Sequence, residues 1–161
     1  MSGVEVERRW LVQDAPPEAL AAPAERIDQG YLTIGADGAE TRVRRRGERC
    51  MLTVKSGSGM VRSEREIELS VAQFEALWPA TEGVRVEKVR HALRTDDGHL
   101  IEFDVYEGAL AGLMIAEVEF DDPWGAEAFV APYWFGRELT AEPAFRNQNL
   151  ALRGLPAPGS P

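Results

Sequence analysis

The chain of 161 residues has the length of one domain, and its 44% hydrophobic content is enough for a substantial core. Its net charge of −9 argues against a nucleic-acid partner, and no apolar run is long enough to span a membrane. A single cysteine, Cys50, excludes an internal disulfide and fits a reducing compartment, so we expect a cytoplasmic protein.

The first predicted strand, residues 4–12, alternates charged and apolar side chains. Successive side chains of a strand point to opposite faces, so Glu5, Glu7 and Arg9 share one face and Val6 lies on the other. One such strand is ordinary in a half-solvated sheet. The alternation is more informative here than in a single strand, because the later predicted strands repeat it.

The remaining elements follow in chain order. A second strand begins at Gln29, and further strands are predicted at residues 41–46, 50–55, 61–69, 84–94, 100–106 and 116–120. Helices are predicted at residues 17–22, from an N-cap at Ser70 to Pro79, near residues 123–133 and near residues 140–152. Residues 1–152 then form one domain, and residues 153–161 form a flexible tail.

The charged faces of these strands nearly balance, with eight basic and nine acidic residues. A mixed, hydrated lining avoids much of the cost of burying unpaired charge. We therefore predict an α+β fold in which an eight-stranded antiparallel β-barrel has a charged interior and helices on its outside. Clustered carboxylates suit Mg²⁺ or Mn²⁺, and arginine and lysine bind phosphate oxygens, so the lining suits a metal–polyphosphate ligand.

Lysine is rare in this chain. Of 18 basic residues only Lys55 and Lys88 are lysines, and both fall on charged strand faces. An ammonium group has a pKa that burial can tune, which a guanidinium does not offer. This favours a specific role, above all for Lys88, although chance placement of two lysines is the simpler alternative.

Eight motifs, in order and covering nearly the whole chain, resemble the CYTH superfamily, also called triphosphate tunnel metalloenzymes, in its short bacterial type. They are Glu5-x-Glu7-x-Arg9, Gln29–Leu32, Arg42-x-Arg44, Thr53–Lys55, Arg62-x-Glu64-x-Glu66, Lys88-x-Arg90, Glu102–Gly108 and Ala116–Glu119, followed by Trp134–Thr140 and Asn147–Ala151.

The resemblance implies a tunnel open at both ends and chemistry on triphosphates with Mg²⁺ or Mn²⁺. It places metal ligands at Glu5, Glu7, Glu117 and Glu119, with Glu64, Glu66, Glu102 and Asp104 in or near the metal shell. It places phosphate-binding residues at Arg9, Arg42, Arg44, Lys55, Arg62, Lys88 and Arg90. The family most often has lysine where this chain has Arg9, and an arginine is a poor proton donor or acceptor.

Catalysis of phosphoryl transfer depends mainly on positioning and charge neutralisation. We name Lys88, Glu66 and Tyr31 as candidate catalytic residues: Glu66 as a carboxylate that orients water, and Tyr31 as a hydrogen-bond donor. For Tyr31, an ordinary aromatic of the barrel wall is an equally good interpretation.

The leading functional prediction is an inorganic triphosphatase that cleaves tripolyphosphate to pyrophosphate and phosphate, as a monomer or homodimer. The alternatives are a class IV-type adenylate cyclase, a thiamine triphosphatase and a non-catalytic polyphosphate or nucleotide sensor. The number of carboxylates argues against the sensor, because an anion-binding module has no need of them.

Overall fold

The computed structural model describes residues 6–56 and 63–158. The strands are β1 (Val6–Leu11), β2 (Ala24–Ile34), β3 (Glu40–Arg46), β4 (Arg49–Ser56), β5 (Ser63–Leu69), β6 (Arg85–Arg94), β7 (Leu100–Tyr106) and β8 (Met114–Phe120). The helices are α1 (Pro17–Ala21), α2 (Val71–Leu77), α3 (Pro123–Ala128) and α4 (Asn147–Arg153), with short 3-10 turns at Trp78–Thr81, Gly108–Leu110 and Pro143–Phe145. No helix in this part of the chain is both long and apolar enough to cross a membrane.

The strands form one antiparallel sheet in the order β1-β8-β7-β6-β2-β3-β4-β5, which confirms the α+β class and the eight strands. The prediction was wrong in some bounds. Strand β2 begins at Ala24 rather than Gln29, and α3 ends at Ala128 instead of continuing to residue 133. The last helix, predicted near residues 140–152, is shortened to α4 because Pro143–Phe145 form a 3-10 turn and the backbone at Arg146 is extended.

The sheet curves strongly. Glu7 in β1 and Lys55 in β4 line the same cavity, although six strand spacings separate them in the sheet order. At about 4.8 Å per spacing, a flat sheet would hold them roughly 29 Å apart. The face that carries the charged side chains is therefore concave, and we call it the inner face.

The closed barrel is not confirmed, because β1 and β5 are the two edges of the sheet and no ladder joins them within the described residues. The outer edge of β1 is occupied instead. Gly136 N donates to Leu11 O (2.8 Å), and Leu139 N donates to Arg9 O (2.7 Å). A Cβ atom at position 136 would lie 2.6 Å from Leu11 O, so only glycine permits this approach.

Two apolar clusters cover the outer face. Trp10, Phe103 and Val118 of the sheet pack in one cluster with residues of α1 and α3. Val43 and Cys50 pack with Phe74 of α2 in the other. These three helices lie on the outside, as predicted.

The fourth helix departs from that prediction. Residues 143–153, which we call the C-terminal cap, lie against the inner face. Phe145 and Leu150 of the cap are buried in one cluster with Tyr31, Val86 and Ile115, whose side chains share the face of the charged residues. The cap must bury its own apolar residues, and the uncharged end of the inner face is the surface it uses.

Candidate active site

The inner face encloses a cavity of about 640 Å³ that is rich in basic residues. Seven basic and three acidic side chains line it: Arg9, Arg42, Arg44, Lys55, Lys88, Arg90 and Arg146, with Glu7, Glu40 and Glu117. The cavity therefore carries a formal charge of +4 inside a chain of net charge −9. A concave site of one charge sign concentrates ligands of the opposite sign, so this cavity suits an anion.

Strand register brings the predicted residues together. Arg42 lies across the ladder from Tyr31, Arg90 from Asp104, and Arg9 from Glu117. Opposite residues of an antiparallel pair have Cβ atoms about 4.5–5.5 Å apart, so each pair can interact directly. The alternation read from the sequence thus places these side chains on one face, and the register of β2 and β3 shifts only beyond the pair of Tyr31 and Arg42, between Tyr31 and Thr33.

Asp104 is the centre of a buried ion-pair network. It is 1% exposed, and its oxygens accept hydrogen bonds from Lys88 Nζ (2.6 Å), Arg90 Nε (2.7 Å) and Arg90 Nη2 (2.8 Å). Arg90 Nη1 also donates to Glu102 Oε2 (2.6 Å). Burial alone would raise the pKa of Asp104, but Lys88 and Arg90 lower it to about 2. Asp104 therefore fixes two phosphate-binding candidates in place.

Lys88 is the most enclosed base of the cavity. It is 2% exposed, and its Nζ lies 5.4 Å from the centre of the Tyr106 ring. Burial lowers the pKa of Lys88 to about 8, although the charge of Asp104 opposes that shift. The ammonium group thus titrates close to physiological pH, which no arginine of the cavity does.

Arg42 and Arg44 are oriented by β3 toward the cavity with part of their hydrogen-bonding capacity unused. The Nε atoms of both are buried and lack a hydrogen-bond partner. Burial, together with the like charges of Arg90 and Arg42, lowers the pKa of Arg44. An incompletely compensated guanidinium destabilises the free protein and is relieved by an anion.

Replacement of Arg44 by methionine is expected to stabilise the ligand-free protein by about 1 kcal/mol while weakening binding of triphosphate. Thermal unfolding with and without tripolyphosphate measures both effects. Arg46→Met is the matched control, because Arg46 lies on the same strand and face but forms an exposed ion pair with Glu25 (2.6 Å). An Arg44→Met protein less stable than wild type in the absence of ligand would contradict this expectation.

Tyr31 lies at the cavity and is 3% exposed. Its hydroxyl accepts a hydrogen bond from Gln29 Nε2 (2.8 Å). Burial and the charge of Glu40 raise the pKa of Tyr31 to about 12, so the hydroxyl keeps its proton and can donate it to an anion.

Three of the predicted metal ligands, Glu7, Glu117 and Glu119, lie on the neighbouring strands β1 and β8. Glu7 and Glu117 line the cavity, and Glu119 lies across the ladder from Glu7. Glu117 Oε2 is 3.3 Å from Arg9 Nε. Within residues 6–56 and 63–158, no three acidic, histidine or cysteine side chains are arranged to hold a metal. Mg²⁺ is usually held by one or two carboxylates together with substrate phosphates, so Glu7 and Glu117 fit that ion in donor chemistry.

Other predicted site residues are not among those that line the cavity, or they fall outside the described residues. Glu64 and Glu66 are exposed on edge strand β5, where Thr53 Oγ1 donates to Glu66 Oε2 (2.9 Å). Glu119 borders a smaller cavity beside His99. Glu5 and Arg62 fall outside the described residues. The roles assigned to all of these remain predictions.

Sequence reasoning missed several residues of the cavity. Glu40 continues the alternation of Arg42 and Arg44, and a strand started one residue earlier would have included it. No strand pattern leads to the cap residues, which the structure adds to the cavity wall: Arg146, Asn147 and Gln148.

No protein-family model matches the chain. It is 47% identical to an inorganic triphosphatase from Nitrosomonas europaea over 148 residues, which cover 92% of this chain and 97% of that protein. It is 35% identical to an inorganic triphosphatase from Acetivibrio thermocellus over 150 residues, which cover 92% of this chain and 93% of that protein.

Solved structures give the same result. A crystal structure of an inorganic triphosphatase, 44% identical, superposes with a TM-score of 0.79 over 92% of this chain and 95% of that one. A putative adenylyl cyclase from Hippeastrum, described as having a dominant triphosphatase activity, shares only the fold, with 15% identity and a TM-score of 0.54 over 77% and 83% of the two chains. On the similarity to the two curated relatives, this chain belongs to the inorganic triphosphatase family.

Proposed function

We propose that this protein hydrolyses tripolyphosphate to pyrophosphate and phosphate with the help of a divalent cation. The observation that carries the proposal is the basic cavity, whose positive charge contrasts with the acidic chain around it. Membership of the inorganic triphosphatase family supports the reaction class, and the ordered motifs support placement in the CYTH superfamily.

The cavity lining favours an inorganic substrate over the alternatives. Tyr31 is the one aromatic residue among the described residues that line the cavity. Recognition of a nucleobase or a thiamine ring usually relies on aromatic stacking or an apolar wall, and this wall is charged. The carboxylates beside the bases argue against a passive anion sensor.

The bases act by positioning and by neutralising charge. Arg42 and Arg44 of β3 and Lys88 and Arg90 of β6 line the cavity from the two strands that flank β2, so together they form one basic wall along which a phosphate chain can be held. Guanidinium groups bind phosphate oxygens through two parallel hydrogen bonds. Charge that develops on the leaving pyrophosphate is then stabilised by groups already in place.

Glu7 and Glu117, with Glu5, are the residues that would hold Mg²⁺ or Mn²⁺. When bound, the cation polarises phosphoryl oxygens and lowers the pKa of a coordinated water. Arg9 keeps Glu117 oriented through its Nε contact of 3.3 Å. A carboxylate beside the attacking water accepts a proton from that water, and Glu66 is the residue predicted for this role.

The tunnel implied by the family resemblance is part of this proposal. The curved sheet supports it, since residues from β1 to β4 surround one cavity. The occupied edge of β1 argues that any contact between β1 and β5 uses side chains or bound ligand instead of a continuous ladder.

Phosphate release from purified protein tests the function directly. We expect release from tripolyphosphate in Mg²⁺ or Mn²⁺ at a higher kcat/KM than from ATP or thiamine triphosphate, and none in excess chelator. Formation of cyclic AMP from ATP would indicate an adenylate cyclase instead. Binding of the phosphate compound without turnover would indicate a non-catalytic sensor.

Replacement of Lys88 by arginine is expected to lower kcat at least about tenfold, roughly 1.4 kcal/mol of barrier. Lys88 is enclosed beside Asp104 and the Tyr106 ring, and the guanidinium that would replace its ammonium group is bulkier and never releases a proton. In the wild type, the KM for tripolyphosphate should rise as pH passes through about 8, because Lys88 then loses its charge. The Lys88→Arg variant should lack this pH dependence of KM.

Lys55→Arg is the control, since Lys55 lines the same cavity but is only half-buried. It should retain most of the wild-type kcat. If Lys88→Arg changes KM and leaves kcat intact, Lys88 only binds phosphate.

A further inference from the structure

The C-terminal cap contributes three consecutive side chains to the cavity, those of Arg146, Asn147 and Gln148. None belongs to the strand motifs that supply the other bases. The cap reaches the cavity because residues 136–140 run along the edge of β1 and direct the following chain across the inner face.

Two contacts fix the cap on either side of Arg146. Arg9 Nη1 donates a buried hydrogen bond to Phe145 O (2.8 Å). The Tyr106 hydroxyl donates to Asn147 Oδ1 (3.0 Å). Because Arg9 and Tyr106 belong to the sheet, the backbone at Arg146 is held at a defined position relative to the cavity bases.

The cap brings hydrogen-bond donors that the protein does not saturate. Gln148 Nε2 is buried and lacks a hydrogen-bond partner. Arg146 is an exposed side chain that lines the cavity and takes part in no ion pair found within the described part of the chain, so its guanidinium is available to a ligand. A buried donor without an acceptor is costly, and an anion in the cavity supplies the acceptor.

A terminal phosphoryl group suits this pair of donors better than an internal one. It has three non-bridging oxygens and carries up to about two negative charges, whereas an internal phosphate has two such oxygens and one charge. An arginine together with an amide N–H group can therefore donate hydrogen bonds to the oxygens of a terminal phosphoryl group.

We infer that Arg146 and Gln148 bind the terminal phosphoryl group of the phosphate chain, so that the cap selects ligands with a free phosphate end. The inference rests on the proposed function, because it concerns the same cavity and substrate. Asn147 and Phe145 act as positioning residues through their contacts with Tyr106 and Arg9.

Calorimetric binding in metal-free buffer with chelator tests the inference without turnover. The two probes are linear tripolyphosphate and cyclic trimetaphosphate, which has no terminal phosphoryl group. Arg146→Ala should weaken binding of the linear chain about tenfold and leave binding of the ring within about twofold. Gln148→Leu should act in the same direction, and Arg146→Lys should recover part of the affinity.

Arg153→Ala is the matched control, because Arg153 is an exposed arginine of the same cap that borders a different cavity. It should bind both probes like the wild type. Equal weakening of both probes by Arg146→Ala, no weakening of either, or an equal loss in Arg153→Ala would each overturn the inference. Circular dichroism and thermal unfolding establish that each variant is folded.

The proposed function is judged separately. If wild-type protein with metal releases no phosphate from tripolyphosphate, hydrolysis is rejected, and the contrast between linear and cyclic probes still decides the role of Arg146. If the wild type turns over tripolyphosphate while Arg146→Ala binds it unchanged, only the role of the cap is rejected.

Discussion

Replacement of Asp104 by alanine is expected to lower the free energy of unfolding by about 3–5 kcal/mol, because it leaves the buried Lys88 without its ion-pair partner and leaves Arg90 with Glu102 alone. Asp104 accepts three hydrogen bonds from Lys88 and Arg90, and Lys88 is only 2% exposed. The loss is a large part of the stability of a typical domain.

Denaturant unfolding of Asp104→Ala, Glu102→Ala and Asp104→Asn shows whether the loss of stability comes from the ion-pair network of Asp104. Glu102→Ala removes a more exposed carboxylate with one contact to Arg90 (2.6 Å) and should cost clearly less than Asp104→Ala. Asp104→Asn keeps the shape and removes the charge. If Asp104→Ala unfolds at the same denaturant concentration as Glu102→Ala, the network contributes little.

Acid unfolding gives an independent check on the same residue. The folded-state pKa of Asp104, about 2, lies below the value of about 3.9 expected for an unfolded aspartate. Its contribution to stability is therefore present above pH 4 and is lost as pH falls from about 4 toward 2. In Asp104→Asn this part of the acid dependence should be missing.

The inner face could be predicted because it depends on local periodicity. Arg42 and Arg44, or Lys88 and Arg90, are two residues apart in strands, and that spacing alone puts each pair on one face. Strand bounds were less predictable. Ala24–Asp28 lacks the charged alternation of the other strands, and its strand conformation depends on pairing with β3 and β6.

The cap could not be predicted because it is a tertiary effect. Arg146 and Gln148 fall in a segment predicted to be helical, and helical spacing does not say which cavity these residues line. Their approach to the cavity depends on Gly136, which lets the chain contact Leu11 O, and on burial of Phe145. The same contacts occupy the β1 edge that a closed barrel would need, so the local pattern predicts the sheet, and its closure into a barrel is not confirmed.

Replacement of Glu117 by glutamine is expected to lower kcat/KM for tripolyphosphate at least about 100-fold, roughly 2.7 kcal/mol. Glu117 lines the cavity beside Glu7, and its Oε2 forms an ion pair with Arg9 Nε at 3.3 Å. An amide keeps the size of the side chain but supplies a weak neutral ligand. The variant should remain folded, since Glu117 is half-buried and pairs with Arg9 only at the cavity surface.

Titration with Mg²⁺ and Mn²⁺ separates the two ways in which Glu117 could act. If it holds the cation, Glu117→Gln should need a higher metal concentration for half-maximal activity, and excess metal should restore part of the rate. Glu127→Gln, at an exposed carboxylate of α3, is the control and should match the wild type at every metal concentration. A Glu117→Gln enzyme with a reduced rate but an unchanged metal requirement would assign Glu117 to orienting Arg9 on the phosphate chain.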